Sequence, residues 1–210
     1  MALHLANTEI FHITDVANLA AIIQSGGLIS DIALASAGGP AVAIGYAHIK
    51  QRRMTEYRIP CVGNRFVGEF VPFYYCPRSP MLFTINQGNV VGRPAGCQRT
   101  ILHLVSSVQT ALDLNKPWAL SDVGAGAAYA QFFNDPERLE GLNWDAIRAT
   151  IWKGKMHEKQ AEFLVADTFP WSAILGIGCH NDTVASRVRA LIQGSAHQPR
   201  VFTNKNWYYT

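Results

Sequence analysis

Charge is scarce in this sequence. Only 16% of its 210 residues are Asp, Glu, Lys or Arg, against 49% hydrophobic side chains. A chain so apolar buries enough surface to offset its ordering entropy, which excludes intrinsic disorder and points to a single compact domain over residues 1–210. Long hydrophobic runs are missing too. The longest uncharged stretch, residues 32–49, is interrupted by Gly38, Gly39, Pro40, Gly45 and His48, so it cannot supply the ~20 apolar helical residues of a membrane span. Residues 1–6 lead straight into Asn7-Thr8-Glu9, without the charged start and apolar run of a secretory leader, and none is expected. The four cysteines (Cys61, Cys76, Cys97, Cys179) show no CxxC or CxH spacing and read as reduced thiols of a cytoplasmic protein. There is no GxGxxG and no GxxxxGK[ST], so neither a Rossmann nor a P-loop site is supported. The histidines form no HxH or HExxH pair, and no metal is expected.

What is present is a mild positive charge of +3 with neutral histidines, and it is local. Lys50, Arg52, Arg53, Arg58 and Arg65 fall within sixteen residues that contain a single acid, Glu56. Elements alternate irregularly. Residues 9–13 alternate as a strand, and Thr14 is placed to cap a helix carrying Val16, Leu19, Ala20 and Ile23, which Gly26-Gly27 stop. A second helix is predicted over 44–57, strands over 66–73, 99–106, 161–165 and 201–209, and a helix over 184–192. Residues 76–80 form a rigid turn, because each proline fixes its own φ and restricts its predecessor. Residues 111–140 are irregular, with a helical piece predicted at 127–133, and so many irregular residues inside a compact domain mark a binding loop. Strands and helices mix without a regular βαβ beat, which gives the α+β class.

Several residues interrupt these patterns. Glu162 opens an apolar strand, where a buried unpaired charge is costly; it is either functional or faces outward from an edge strand. His12 occupies an apolar strand before a helix start and is either a satisfied core histidine or a ligand group. Arg52 and Arg53 are adjacent on a helix, so they point about 100° apart and one of them can face inward to fork onto a phosphate. Arg78 is presented by the rigid Pro77–Pro80 turn among Phe70, Phe73, Tyr74, Tyr75 and Phe83, a mixture of cation and aromatics that suits stacking on single-stranded nucleic acid or simple burial.

Taken together, four blocks resemble the DarT family of toxins, which ADP-ribosylate DNA and are paired with the DarG macrodomain antitoxin. The blocks are Phe11-His-Ile-Thr-Asp-Val-Ala-Asn18, Ile49-Lys-Gln-Arg-Arg53, Phe70-Val-Pro-Phe-Tyr-Tyr-Cys-Pro-Arg-Ser-Pro-Met81 and Gln160-Ala-Glu-Phe-Leu-Val165. They occur in family order and cover the chain nearly end to end; the Val-Pro-Phe-Tyr to Pro-Met block is the specific one. The resemblance implies an ADP-ribosyltransferase fold with a split mixed β-sheet and flanking helices, and NAD as co-substrate. It implies that His12, Thr14 and Asn18 bind NAD, that Arg53 (with Arg52 as the one-residue alternative) and Glu162 are catalytic, and that Arg53 also contacts NAD. Arg78, and more loosely Arg93, Lys153 and Lys155, are then the DNA-phosphate residues, and residues 119–142 the loop that selects the target base. The implied reaction transfers ADP-ribose from NAD to thymidine in single-stranded DNA. Two other readings share part of these residues. One is an ADP-ribosyltransferase acting on RNA or protein, which has no need of Arg78. The other is a non-enzymatic single-strand binding module built on the 50–65 cluster.

Overall fold

The computed structural model describes residues 7–210; residues 1–6, where no leader was expected, lie outside them. Twelve strands are described: β1 (Glu9–Asp15), β2 (Gly27–Ile29), β3 (Arg58–Ile59), β4 (Arg65–Phe66), β5 (Phe70–Tyr74), β6 (Ile101–Ser107), β7 (Trp118–Ser121), β8 (Phe132–Phe133), β9 (Glu162–Ala166), β10 (Thr168–Pro170), β11 (Gly176–Cys179) and β12 (Arg200–Thr203). Among them run helices α1 (Leu19–Gln24), α2 (Asp31–Ser36), α3 (Ala47–Thr55), α4 (Pro80–Asn86), α5 (Val108–Leu112), α6 (Trp144–Arg148), α7 (Met156–Lys159) and α8 (Asp182–Ile192). Eight strands form one mixed sheet in the order β12-β11-β6-β1-β5-β9-β7-β8. Only β11 and β12 run parallel. The α+β class expected from the sequence is the architecture observed.

The centre of the sheet is where it matters most. β1 pairs with β6 from Glu9↔Ser107 to Asp15↔Ile101, and β5 pairs with β9 from Phe70↔Ala166 to Tyr74↔Glu162. Between β1 and β5 the register holds a single partner pair, Phe11↔Tyr74. The sheet is therefore two ladders joined at one point, and the strands part beyond it.

Packing on the two faces follows from this split. One face carries a continuous core that crosses both ladders, with Ile10, Leu102 and Leu104 meeting Val71, Phe73, Phe163 and Val165 under α1 and α8. The other face carries two separate clusters. Ile13, Ile101, Leu82 and Ile85 pack with Tyr208 on the β1/β6 side. Val67, Phe70, Ala119, Ala125 and Leu164 pack on the β5/β9 side. Because side chains alternate along a strand, Glu162 shares the second face with Leu164 and Ala166. It opens a central strand flanked by β5 and β7, not an edge strand.

Local chemistry corrects several expected boundaries. Asp15, not Thr14, caps the turn after β1, its carboxylate accepting the Ala17 N–H at 3.0 Å. The 66–73 strand is broken because the Glu69 carboxylate accepts the Phe66 N–H at 2.8 Å, winding residues 67–69 into a 3-10 turn before β5. The helical piece at 127–133 is absent; the chain there turns and then pairs as β8. The strand expected over 201–209 ends at Thr203, because Trp207 folds back onto β11. A Cβ on Gly178 would lie 2.4 Å from its ring. The glycines of β11 hid that strand from a periodicity reading.

Gly68 permits a similar approach on the site side. A Cβ there would meet the Met54 Cα at 2.9 Å and the Arg53 carbonyl at 3.1 Å. Gly68→Ala is expected to push α3 away at a cost of about 2 kcal/mol, lowering the thermal midpoint by ~4–8 °C. A calorimetric scan checks this; an unchanged midpoint shows that α3 is free to shift.

A second expectation concerns pH. His103 is fully buried in β6, its Nε2–H donating to the Pro77 carbonyl at 2.9 Å. Burial pushes its pKa from 6.5 down to about 4, against the pull of that bond. The folded state thus refuses a proton that the unfolded chain accepts below pH 6.5. Stability is complete above that value and falls as pH drops toward 4, by roughly 3 kcal/mol in full. Denaturant melts at pH 7 and pH 4.5, with the His103 ring resonance remaining neutral down to pH 5, test this directly.

Candidate active site

Glu162 is 4% exposed and is met there by Arg53, itself 8% exposed. The contact is a two-pronged fork: Arg53 Nη1 donates to Oε1 at 2.9 Å and Nη2 to Oε2 at 3.0 Å. Such planar bidentate pairs hold orientation as well as charge. A third donor, the Ala125 backbone N–H, reaches Oε1 at 2.9 Å. The strand end is fixed as well, since the Glu162 N–H donates to Ser121 Oγ at 3.1 Å and that hydroxyl donates to the Val123 carbonyl. Burial works against the Arg53 charge, but the adjacent Glu162 carboxylate outweighs it and holds the pKa above the ordinary arginine value. Arg53 Nε is buried without a partner.

The pair of adjacent arginines is thereby separated. Arg52 lies on the exposed side of α3, bonded to Glu56 at 2.7 Å and stacked over Tyr57. The cationic cluster to which both belong is also largely spent within the protein. Lys50 pairs with Asp31 at 3.1 Å, Arg65 with Glu69 and Asp167, and Arg58 lies over the Phe66 ring while donating to the Asn64 carbonyl. A free basic patch over 50–65, which the binding-module reading requires, is not what these contacts make.

Where β1 and β5 part, His12 bridges the opening. Its Nδ1 lies 2.9 Å from the Pro72 carbonyl and so carries the proton. Burial lowers its pKa, with the Pro72 bond pulling the other way, which leaves a neutral ring with a lone pair on Nε2. Thr14, two residues on, accepts from Asn18 Nδ2 at 3.1 Å. Asn18 then closes a reciprocal pair with the Val42 backbone, donating to its carbonyl and accepting its N–H, each at 2.9 Å. Its amide clasps the loop between α2 and α3 to the turn after β1, a role that its spacing in the sequence did not disclose.

The remaining predicted residues lie farther out. Arg78 stacks over Tyr209 at 4.6 Å, and the Tyr209 hydroxyl holds the Arg78 carbonyl at 2.8 Å. Lys153 and Lys155 are exposed on the segment before α7. Arg93 is turned inward. It pairs with Asp15 at 2.8 Å and contacts Cys97 and Thr100. Burial pushes the Asp15 carboxyl up, but bonds from Ala17, Thr100 and Arg93 together hold it below its usual value. Within residues 119–142 the Gly124-Ala125-Gly126 turn carries the amide that holds Glu162. This contribution comes from the backbone, so no side-chain motif announces it.

Comparison with known proteins matches this arrangement to one family. Residues 11–209 match DarT, described as ssDNA thymidine ADP-ribosyltransferase. Two similar relatives, from Thermus aquaticus and Thermus sp. strain 2.9, are each named DNA ADP-ribosyl transferase and are each 37% identical. The aligned regions cover 96% of this chain with 89% of the first and 96% of the second. Among solved structures, Thermus sp. 2.9 DarT in complex with ADP-ribosylated ssDNA aligns at a TM-score of 0.89 with 36% identity, over 96% of both chains. The same protein in complex with NAD+ aligns at 0.83 with 33% identity, over 96% of this chain and 98% of that one. By sequence and by structure, this chain belongs to the DarT family of single-stranded DNA thymidine ADP-ribosyltransferases.

Proposed function

We propose that this protein transfers the ADP-ribosyl group of NAD to thymidine bases in single-stranded DNA, releasing nicotinamide. The observation that carries the reading is the buried Arg53–Glu162 fork at the head of β9, beside the single-pair junction of a split sheet. The residues fit NAD. The orphaned Arg53 Nε offers a donor, and the neutral His12 ring, bonded across the gap between β1 and β5, offers an acceptor. The Asn18 clasp holds the loop between α2 and α3 to the turn after β1.

NAD supplies an ADP-ribosyl group whose bond to nicotinamide breaks with positive charge developing on the ribose. The Glu162 carboxylate, fixed by three donors before the reaction begins, stabilises that charge without reorganisation. It is also the general base. As the thymine ring nitrogen bonds to the ribose carbon, Glu162 takes the proton from that nitrogen and nicotinamide leaves with the electron pair of the broken bond. Arg53 orients the carboxylate and, through Nε, a group of the bound substrate. His12 and Thr14 hold the cofactor, with Asn18 serving them through the loop it pins. Arg78, Lys153 and Lys155 bind DNA phosphates, while Arg93 braces the strand end through Asp15.

In the cell we place the protein in the cytoplasm, as the toxin of a pair whose antitoxin is a DarG-type macrodomain protein. Among the described residues no helix is long and apolar enough to cross a membrane.

The test is mass spectrometry of mixed-sequence single-stranded DNA incubated with protein and NAD. A gain of one ADP-ribose, confined to thymidine-containing strands, is expected. Consumption of NAD with unmodified DNA moves the acceptor to RNA or protein, and consumption of neither overturns the reading.

A further inference from the structure

A cavity of about 820 Å3 opens at the end of the sheet, lined among others by Phe11, Tyr75, Arg78, Trp144, Arg148 and Lys159. None of these except Arg78 has a part in the chemistry above. Two of its polar atoms, Tyr75 Oη and Arg78 Nε, are buried without a partner, and Tyr75 is 6% exposed. A buried hydroxyl or N–H left unpaired destabilises a fold, and such groups persist where a ligand satisfies them.

The walls have the character of a nucleotide site. Trp144 is fixed by its indole N–H, which donates to the Leu139 carbonyl at 2.7 Å. Tyr75 meets it edge-on at 5.5 Å and the exposed Arg148 guanidinium lies 5.0 Å from its ring. Aromatic rings beside guanidinium groups are what single-stranded nucleic acids stack on. Lys159 Nζ bonds the Ile147 carbonyl at 2.8 Å and also engages the Cys76 thiol, which leaves one N–H to give. Glu9 and Glu140 also line the space, so donors and acceptors are both at hand, which suits the edge of a base more than a bare phosphate.

Position ties the cavity to the active site. Tyr74 lies opposite Glu162 in the β5–β9 register, and Tyr75, the next residue, points to the other side of the strand. Lys159 precedes Glu162 by three residues. Arg148, Ala149 and Thr150 line the cavity, and the same segment continues through the exposed Ile151 to Lys153 and Lys155.

We infer that this cavity is a subsite for a base flanking the modified thymidine on the same DNA strand, with Tyr75, Arg78, Trp144 and Arg148 as its recognition groups. This rests on the proposed DNA reaction. A strand whose target thymine is at Glu162 passes the end of β5 and places a neighbouring nucleotide in the cavity, making it a determinant of sequence preference.

The test uses the full chain and strands with one thymidine. First, 5-iododeoxyuridine is placed at each flanking position in turn and crosslinked by light to the catalytically silenced Glu162→Gln protein. Crosslinks from one position to Trp144 or Tyr75 are expected; crosslinks confined to other surfaces overturn the inference. Second, making that position abasic is expected to cost the wild type roughly 5–10-fold in kcat/KM. Tyr75→Phe and Arg148→Ala are expected to cost a similar factor on the intact strand and nothing further on the abasic one. Losses that multiply, or variants indifferent to both strands, overturn it. Absence of transfer to any strand by the wild type rejects the DNA reaction itself, and the crosslinks to Glu162→Gln still report on the cavity.

Discussion

Glu162→Gln is expected to lower the rate of ADP-ribose transfer to thymidine-containing DNA by about 1000-fold or more, while changing NAD affinity less than ~3-fold. The size follows from the two roles combined in one group. In the proposed mechanism the carboxylate both stabilises charge on the ribose and removes a proton, and glutamine would do neither. The shape is retained: one oxygen remains to accept from Arg53 and from the Ala125 N–H. The other becomes an NH2 facing an Arg53 donor, so a small loss of stability accompanies the large loss of rate. Single-turnover transfer measured by mass spectrometry, with calorimetric titration of NAD, separates the two effects. Transfer within tenfold of the wild type removes Glu162 from the chemistry.

Arg53→Ala is expected to be costly in two ways. Its side chain and that of Glu162 are 10% and 5% exposed, so removing the guanidinium leaves a carboxylate in the interior with only the Ala125 amide to hold it. Breaking one side of a buried pair costs about 3 kcal/mol, which lowers the thermal midpoint by ~6–12 °C, and the misplaced carboxylate costs roughly 100–1000-fold in rate. Arg53→Lys retains the charge but loses the fork, and it is expected to recover stability more than activity. Arg52→Ala removes an exposed pair with Glu56, and a change within about 0.5 kcal/mol is expected. The reverse ranking of the two arginines, in melting and in transfer, would exchange their roles.

The sequence disclosed most where a residue broke its own pattern. A carboxylate at the head of an apolar strand and two arginines at adjacent helical positions marked the eventual pair, and the burial of each in the fold accounts for both anomalies. Choosing Arg53 over Arg52 required knowing which side of α3 faces the sheet. The Gly-Ala-Gly turn stood out as irregular, but its function is a backbone amide, and every residue except proline has one. Asn18 was singled out only through the family resemblance, and its partner at Val42 is supplied by the tertiary fold. β11 escaped because Gly176 and Gly178 carry no side chains to alternate; they make room instead for Phe202 and Trp207. The apparent positive surface over 50–65 dissolved because Asp31, Asp167 and Glu162 come from distant parts of the chain and Glu69 from just beyond the cluster. Counting charges along a sequence does not reveal such neutralisation.

The single partner pair between β1 and β5 has a mechanical consequence. Hydrogen-bonded ladders resist shear through many bonds in parallel, and this junction has almost none to offer, so the two halves behave as separate plates hinged on the apolar core of one face. Amide exchange is expected to resolve them as two cooperative opening units, one containing β6 and the other β9, each protected more strongly than the amides at their seam. A molecule that touches both plates, as NAD would in the proposed site between His12 and Arg53, is expected to act as a rivet, slowing exchange at the seam and merging two openings into one.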